Sequence, residues 1–440
     1  PQKISNTKAI IVYLLAALFL CFEMALQISP GVMTPELQKS LNLSHFTLGI
    51  ISGVYFITYT FMQIPSGMMY DKQSIRKILA TAIFLCSLGA IGFSFSLGAI
   101  TAGVSRMFMG FGSAFAFISV LTVSARFFQS KYFALLTGIA QLLAAIGGMA
   151  GGLPIAWLVE QYTWRHTMLL FSIIGFTLMI LVLWIFNDLP NSNTDKTNNI
   201  SSKQKHTIKK TNKQNNPGLF KNILVLIKSR QHWYAFIYAF FNWAPVIAFA
   251  ELWGVPFLKT AYNLSTQEAA GLCSFIWLGI GITAPIIGAL SDYIHRRNIL
   301  LAIPALIGGI AIYALIYMNT QIHTYAMLAI LLFLTGLGSA GQILSFAVVQ
   351  DNTPSKRIST AIGLNNMGVV ASGIIFQPLI GKLMMLFENK SLAQSQISVD
   401  SIAVYHKSLA IVPLCFLICV IIALFFIKET KCQPSYKNIN

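Results

Sequence analysis

The amino-acid sequence predicts an all-α integral membrane protein of twelve transmembrane helices, arranged as two pseudo-symmetric six-helix bundles. Three observations carry that expectation. Of 440 residues, 56% are hydrophobic and only 10% are charged, with a mean hydropathy of +0.69, which leaves a soluble globule of this size without a polar skin. The apolar residues come in blocks of about 20 or more, the length a helix needs to cross a hydrocarbon layer of ~30 Å. The last six blocks repeat the first six.

In chain order the blocks fall near 9–32, 46–70, 78–97, 99–125, 133–158 and 167–187, then 232–258, 268–291, 299–318, 324–349, 359–387 and 406–427. The first, roughly Ala9 to Val32, is too long for a cleavable signal core and reads as the first span. Between the two sets, residues 188–231 turn to Asn, Lys, Ser, Thr and Gln, a composition that buries too little apolar surface to fold alone. The expected organisation is an N-terminal bundle over 1–187, a basic linker over 188–231, a C-terminal bundle over 232–427 and a tail over 428–440.

An even number of spans puts both termini on one side. Of the 30 Lys and Arg, 23 lie in the tails, the linker and the loops of that side, and five (Lys39, Arg165, Lys259, Lys390, Lys407) lie in the opposite loops. The bias predicts cytoplasmic termini. It also accounts for the formal charge of +17, so nucleic acid is not expected as a partner; the linker reads as a solvated tether. The six cysteines show neither a disulfide framework nor metal-knuckle spacing.

The repeat is carried by polar loop residues, where chance similarity is rare. At an offset of 221, Asn42-Leu43-Ser44 falls on Asn263-Leu264-Ser265, Gly67 on Gly288, Asp71 on Asp292 and Arg76 on Arg297; with small gaps, Gly110, Gly112 and Ser113 fall on Gly336, Gly338 and Ser339. The loop between spans two and three reads Gly67-Met-Met-Tyr-Asp71-Lys72-Gln-Ser-Ile-Arg76-Lys77, echoed by Gly288-Ala-Leu-Ser-Asp292-Tyr-Ile-His-Arg296-Arg297. This resembles the G-x-x-x-D-[RK]-x-G-[RK]-[RK] loop of the major facilitator superfamily, with Ser74 in place of the glycine and Ile75 in place of the first basic residue. Arg106-x-x-x-Gly110-x-Gly112-x-Ala114 in span four is similar to a second pattern of that family.

The resemblance covers nearly the whole chain and is loosely toward the sugar-phosphate and organic-anion permeases. It implies alternating access by a monomer in a bacterial inner membrane. The loop motif then implies a gate, in which Gly67 allows close helix approach and Asp71, with Lys72, Arg76 and Lys77, latches the cytoplasmic mouth. Gly288, Asp292, Arg296 and Arg297 would do the same in the second half. The Gly-Pro pair that marks drug antiporters in span five is absent from Gly147-Gly148-Met-Ala-Gly151-Gly152-Leu-Pro154.

Three ionisable residues lie clearly within spans, away from their ends: Glu23, Arg106 and Glu251. At 1.5 Å per residue, Glu23 and Arg106 come to similar depth and are expected to pair beside a central cavity. Glu251 precedes Trp253, Gly254 and Pro256, where span seven should kink or end. Polar and aromatic candidates for the substrate path are Gln27, Tyr55, Tyr59, Gln63, Gln141, Asn242, Trp243, Trp277, Gln342, Asn365, Asn366 and Gln377. All seven histidines fall in loops or at span ends, and no nucleophile, metal-ligand or phosphate-cradle constellation appears, so neither enzyme activity nor a cofactor is expected. One arginine with two glutamates suits a zwitterion such as an amino acid or short peptide, moved with protons. An organic-anion or carboxylate permease, a siderophore permease or a drug or metabolite exporter is the alternative, and phosphorylated substrates are disfavoured because two carboxylates repel a dianion.

Overall fold

Asn42 and Asn263, placed together by the repeat, both adopt the left-handed conformation, with φ of 50° and 53°. Asparagine tolerates that region and ends a helix there. Two residues on, Ser44 and Ser265 cap the next helix, their hydroxyls accepting from the Thr47 and Glu268 backbone amides at 3.1 and 3.2 Å. The same tripeptide thus makes the same helix–turn–helix corner in each half.

A computed structural model describes residues 5–128, 133–186, 225–318, 324–354, 357–394 and 401–433. The expected linker lies outside the described residues as far as residue 224, as do the end of the tail and the side chains of Asp71 and Lys72. Among the described residues, twelve helices are long and apolar enough to cross a membrane. They are Thr7–Val32, His45–Tyr70, Ile75–Ser94, Ala99–Ser124, Gly138–Tyr162 and Trp164–Ile185 (spans one to six), then Arg230–Tyr262, Thr266–Ile294, Arg297–Tyr317, Tyr325–Asp351, Thr360–Lys390 and Ser401–Phe425 (spans seven to twelve).

Spans one to six pack among themselves, as do seven to twelve. The halves meet where span two lies along span eleven, span eight along span five, and span one along span seven. Exchanging the halves maps the first two contacts onto each other, as a pseudo-two-fold axis requires.

Span seven is expected to kink or end near Pro256. It does not end near Pro256; instead Val246–Trp253 forms a π-helix and the helix continues over Gly254–Tyr262. The wide turn precedes the proline, whose missing N–H and ring would disrupt a regular turn four residues back. The Gln377 side-chain amide donates to the Ile247 carbonyl at 2.9 Å, and the Trp253 indole donates to the Gln377 carbonyl at 3.1 Å, tying the wide turn to span eleven.

Both described chain ends lie at one face, here called the terminal face. At the opposite, far face the halves are in close contact. A methyl group added at Gly49 would fall 2.5 Å from the Gln377 carbonyl oxygen, and one at Gly148 would fall 2.5 Å from the Trp277 ring. Gly31 abuts the Glu251 carbonyl in the same way. Polar bonds also cross between halves: Gln267 Nε2 donates to Glu160 at 2.6 Å, and His45 Nε2 stands 3.1 Å from Glu388. Toward the terminal face, Gly67, Gly138 and Gly288 have no neighbouring atom within 4 Å of an added methyl. The close approach expected at Gly67 is therefore not made in this conformation, which is shut at the far face, while on the terminal side the Asn366 amide donates to Gln63 across the halves at 2.6 Å.

Single hydrogen bonds between membrane helices contribute about 0.6 kcal/mol and exposed ion pairs about 0–1 kcal/mol, so the far closure rests mainly on backbone-close packing. Gly49→Val should therefore disfavour the closed far face by roughly 1–3 kcal/mol, whereas Gly67→Ala should leave this conformation unchanged. Spin labels at the far ends of spans two and eleven in a cysteine-free background measure this; unchanged distances in Gly49→Val would refute the packing account.

Candidate functional site

Glu23, Arg106 and Glu251 are 0%, 1% and 1% exposed, so each must find partners inside the protein or carry a heavy desolvation cost. The expected Glu23–Arg106 ion pair does not form. The arginine reaches span one a turn beyond Glu23, where its guanidinium donates to the backbone carbonyls of Leu26 and Gln27 at 3.2 and 3.3 Å and to the Met109 sulfur at 3.7 Å. Its Cζ also sits 4.4 Å from the centroid of the Tyr55 ring. Two carbonyls in fork geometry and an aromatic face satisfy a guanidinium without a carboxylate.

Tyr55 connects this cation to the acids. Its hydroxyl lies 3.0 Å from Glu23 Oε1 and 3.3 Å from Gln27 Oε1. The other end of Gln27 crosses between the halves, its Nε2 donating to Glu251 Oε1 at 2.8 Å. The chain Glu23–Tyr55–Gln27–Glu251 therefore joins span one to span seven through span two. Glu23 Oε2, Glu251 Oε2 and Arg106 Nε are buried without a hydrogen-bond partner. The wide π turn positions Glu251 for this contact.

Below this layer, toward the terminal face, lies a cavity of about 100 Å³ between the halves. From the first half Gln27, Tyr59 and Gln141 line it; from the second, Trp243, Trp277, Gln342 and Asn366 do. The Trp243 and Trp277 rings meet edge to face at 6.2 Å between centroids. The Trp277 indole N–H is buried without a partner. Among the described residues no charged side chain lines the cavity; the acids and the arginine stand one layer above it, linked through Gln27.

Asn242 and Asn365, candidates from the sequence, do not belong to this site. Asn242 donates to the Gly338 carbonyl at 3.0 Å and to the Tyr238 hydroxyl at 3.4 Å, and Asn365 donates to the Ser345 hydroxyl at 2.8 Å. Both face their own bundle and join its helices. The apolar lining, including Met24, Phe56, Phe117 and Phe346, was passed over because a polarity criterion cannot separate a cavity wall from core. The His45–Glu388 contact and the bond between Trp253 and Gln377 were not foreseen, because a single residue carries no sign of the partner it meets on another helix.

At the terminal face the second-half motif folds onto itself. His295, left-handed at φ 55°, turns the chain so that Arg297 reaches Asp292 at 2.8 Å and Asp351 at 3.2 Å, and donates to the Ser291 hydroxyl at 3.0 Å. Arg296 is exposed, as is Lys77 in the first half, while Arg76 is partly buried. The tail packs over this loop, Glu429 accepting from the Arg297 and Asn298 amides at 3.1 and 2.9 Å. Burial works against the Glu429 charge, yet those amides, with Lys431 and Thr430, hold its pKa below the usual carboxylate value.

The chain is similar to a probable galactarate/D-glucarate transporter of Escherichia coli, 26% identical over 381 residues that span 78% of this chain and 81% of the relative. It is also similar to a hexuronate transporter of Bacillus subtilis, 22% identical over 273 residues that span 61% of each chain. Its fold matches the crystal structure of a D-xylose-proton symporter with a TM-score of 0.73 at 14% identity, over 98% of this chain and all of that one. The family profile described as Major Facilitator Superfamily matches residues 14–378 and 252–434, and with both halves, their repeat and the central cavity in place, the chain belongs to that superfamily of secondary transporters.

Proposed function

We propose that this transporter carries a small, polyhydroxylated organic acid together with a proton, by alternating access and with both termini in the cytoplasm. The observation that carries the reading is a cavity walled by neutral amides, indoles and a phenol, set directly beneath two buried carboxylates and a closed far gate. Side-chain amides from Gln27, Gln141, Gln342 and Asn366 both donate and accept, which suits a row of hydroxyl groups. The Trp243 and Trp277 rings offer flat apolar faces to the C–H side of a sugar-like ring. The similarity to galactarate/D-glucarate and hexuronate transporters supports an organic acid over the amino acid or peptide favoured by sequence alone.

Counting hydrogens supports proton coupling. Tyr55 has one hydroxyl proton and two neighbouring acceptors, Glu23 Oε1 and Gln27 Oε1. A protonated Glu23 resolves the conflict: it donates to Tyr55, and Tyr55 donates to Gln27. The gates are the glycine-lined contacts at the far face and, in the opposite state, the Asp71 and Asp292 loops, whose glycines are free to close against the other half.

A zwitterionic substrate is the second reading, favoured by the two carboxylates with unpartnered oxygens above a cavity that offers no cation. Uptake into proteoliposomes separates the two. An inward proton gradient should drive accumulation of D-glucuronate and leave alanine and dialanine at equilibrium; the reverse pattern would establish the zwitterion.

Glu23→Gln keeps the hydrogen-bond shape but fixes the site in its uncharged form. It should reduce gradient-driven accumulation at least ~10-fold, the scale of losing one proton-transfer group, while leaving exchange of internal for external substrate largely intact. Full gradient-driven accumulation by this variant would remove Glu23 from the coupling step.

A further inference from the structure

We infer that Glu251 sets the charge class of the substrate, admitting sugar acids with one carboxylate and excluding those with two. The inference rests on the organic-acid reading above and goes beyond it, since the relative named for galactarate and D-glucarate takes its name from diacids.

Three buried charges stand over the cavity, and one arginine cannot balance two glutamates. Arg106 is also already engaged. Its terminal nitrogens serve the Leu26 and Gln27 carbonyls, its face lies against Tyr55, and it does not line the cavity. Its Nε–H stays unpartnered, but the group is set behind the cavity wall and is not presented to a second substrate carboxylate. One proton on the glutamate pair brings the three charges to neutrality, and nothing further offsets a dianion.

The two ends of the cavity differ accordingly. At the end nearer the terminal face, the Gln141 and Gln342 amides provide donors for one carboxylate. At the other end Gln27 lines the cavity while its Nε2 holds Glu251 Oε1 at 2.8 Å, leaving Glu251 Oε2 buried and unpartnered. A substrate hydroxyl arriving there meets the Gln27 amide, directly behind which stands the Glu251 carboxylate. A second carboxylate has no proton to give and meets a like charge at low permittivity.

Competition binding to the full chain in lipid nanodiscs at neutral pH tests this, with D-glucuronate as the monoanion and D-glucarate as the dianion. The wild-type protein should bind D-glucuronate at least ~10-fold more tightly, the scale of one unit charge acting at close range in a partly screened site. Glu251→Gln should shrink that ratio by on the order of tenfold, and Glu251→Asp should retain it. Equal wild-type affinities would overturn the inference and leave the organic-acid reading standing, as would an unchanged ratio in a Glu251→Gln protein whose thermal unfolding matches wild type. Binding of neither compound would overturn the organic-acid reading and this inference with it.

Discussion

A guanidinium held inside a hydrocarbon layer needs acceptors on every side, and the way Arg106 obtains them organises the centre of this protein. Water is not there to help, so each unpaired polar atom costs several times what it would at a soluble surface. Span one supplies two backbone carbonyls, span two supplies the Tyr55 ring, and the tyrosine hydroxyl passes the constraint on to Glu23 and Gln27. Because Gln27 reaches across to Glu251, satisfying one arginine in the first half fixes the position of an acid in the second. The two bundles are thereby coupled at the depth where the cavity lies.

That coupling sits just beneath the far closure, and the two share residues. Glu251 contributes its side chain to the polar chain and its backbone to the contact with Gly31. Two residues later Trp253 anchors to span eleven, whose Gln377 in turn holds the π turn that carries Glu251. A group bound at Gln27 therefore acts on the same short segment that closes the far face. Packed cores switch between discrete arrangements rather than deforming smoothly, which gives a small change at this segment a route to the gate.

The terminal face shows the complementary condition. The loop motif is present in the second half as the Asp292–Arg297–Asp351 cluster, clamped by the tail through Glu429, but the glycines beside both motifs face open space. The cluster makes the rim of one bundle rigid without bridging to the other. A rigid rim is what a half-bundle needs if it is to move as one body.

The number of spans, their two-fold repeat and the corner at each Asn-Leu-Ser were legible in the sequence, because they depend on local composition, helix period and capping chemistry that each segment carries by itself. The identity of the charged centre was legible too, since Glu23, Arg106 and Glu251 stand out against an apolar background. Pairing was not. Depth along a helix gave Glu23 and Arg106 a common level, but rotation about the helix axis and the presence of Tyr55 between them decided which atoms meet. The π turn, the closed far face and the separation of Asn242 and Asn365 from the cavity likewise arise where helices from different parts of the chain touch. Local chemistry determined what each segment is, and only the packing of all twelve helices in three dimensions decided which polar groups share a dry interior.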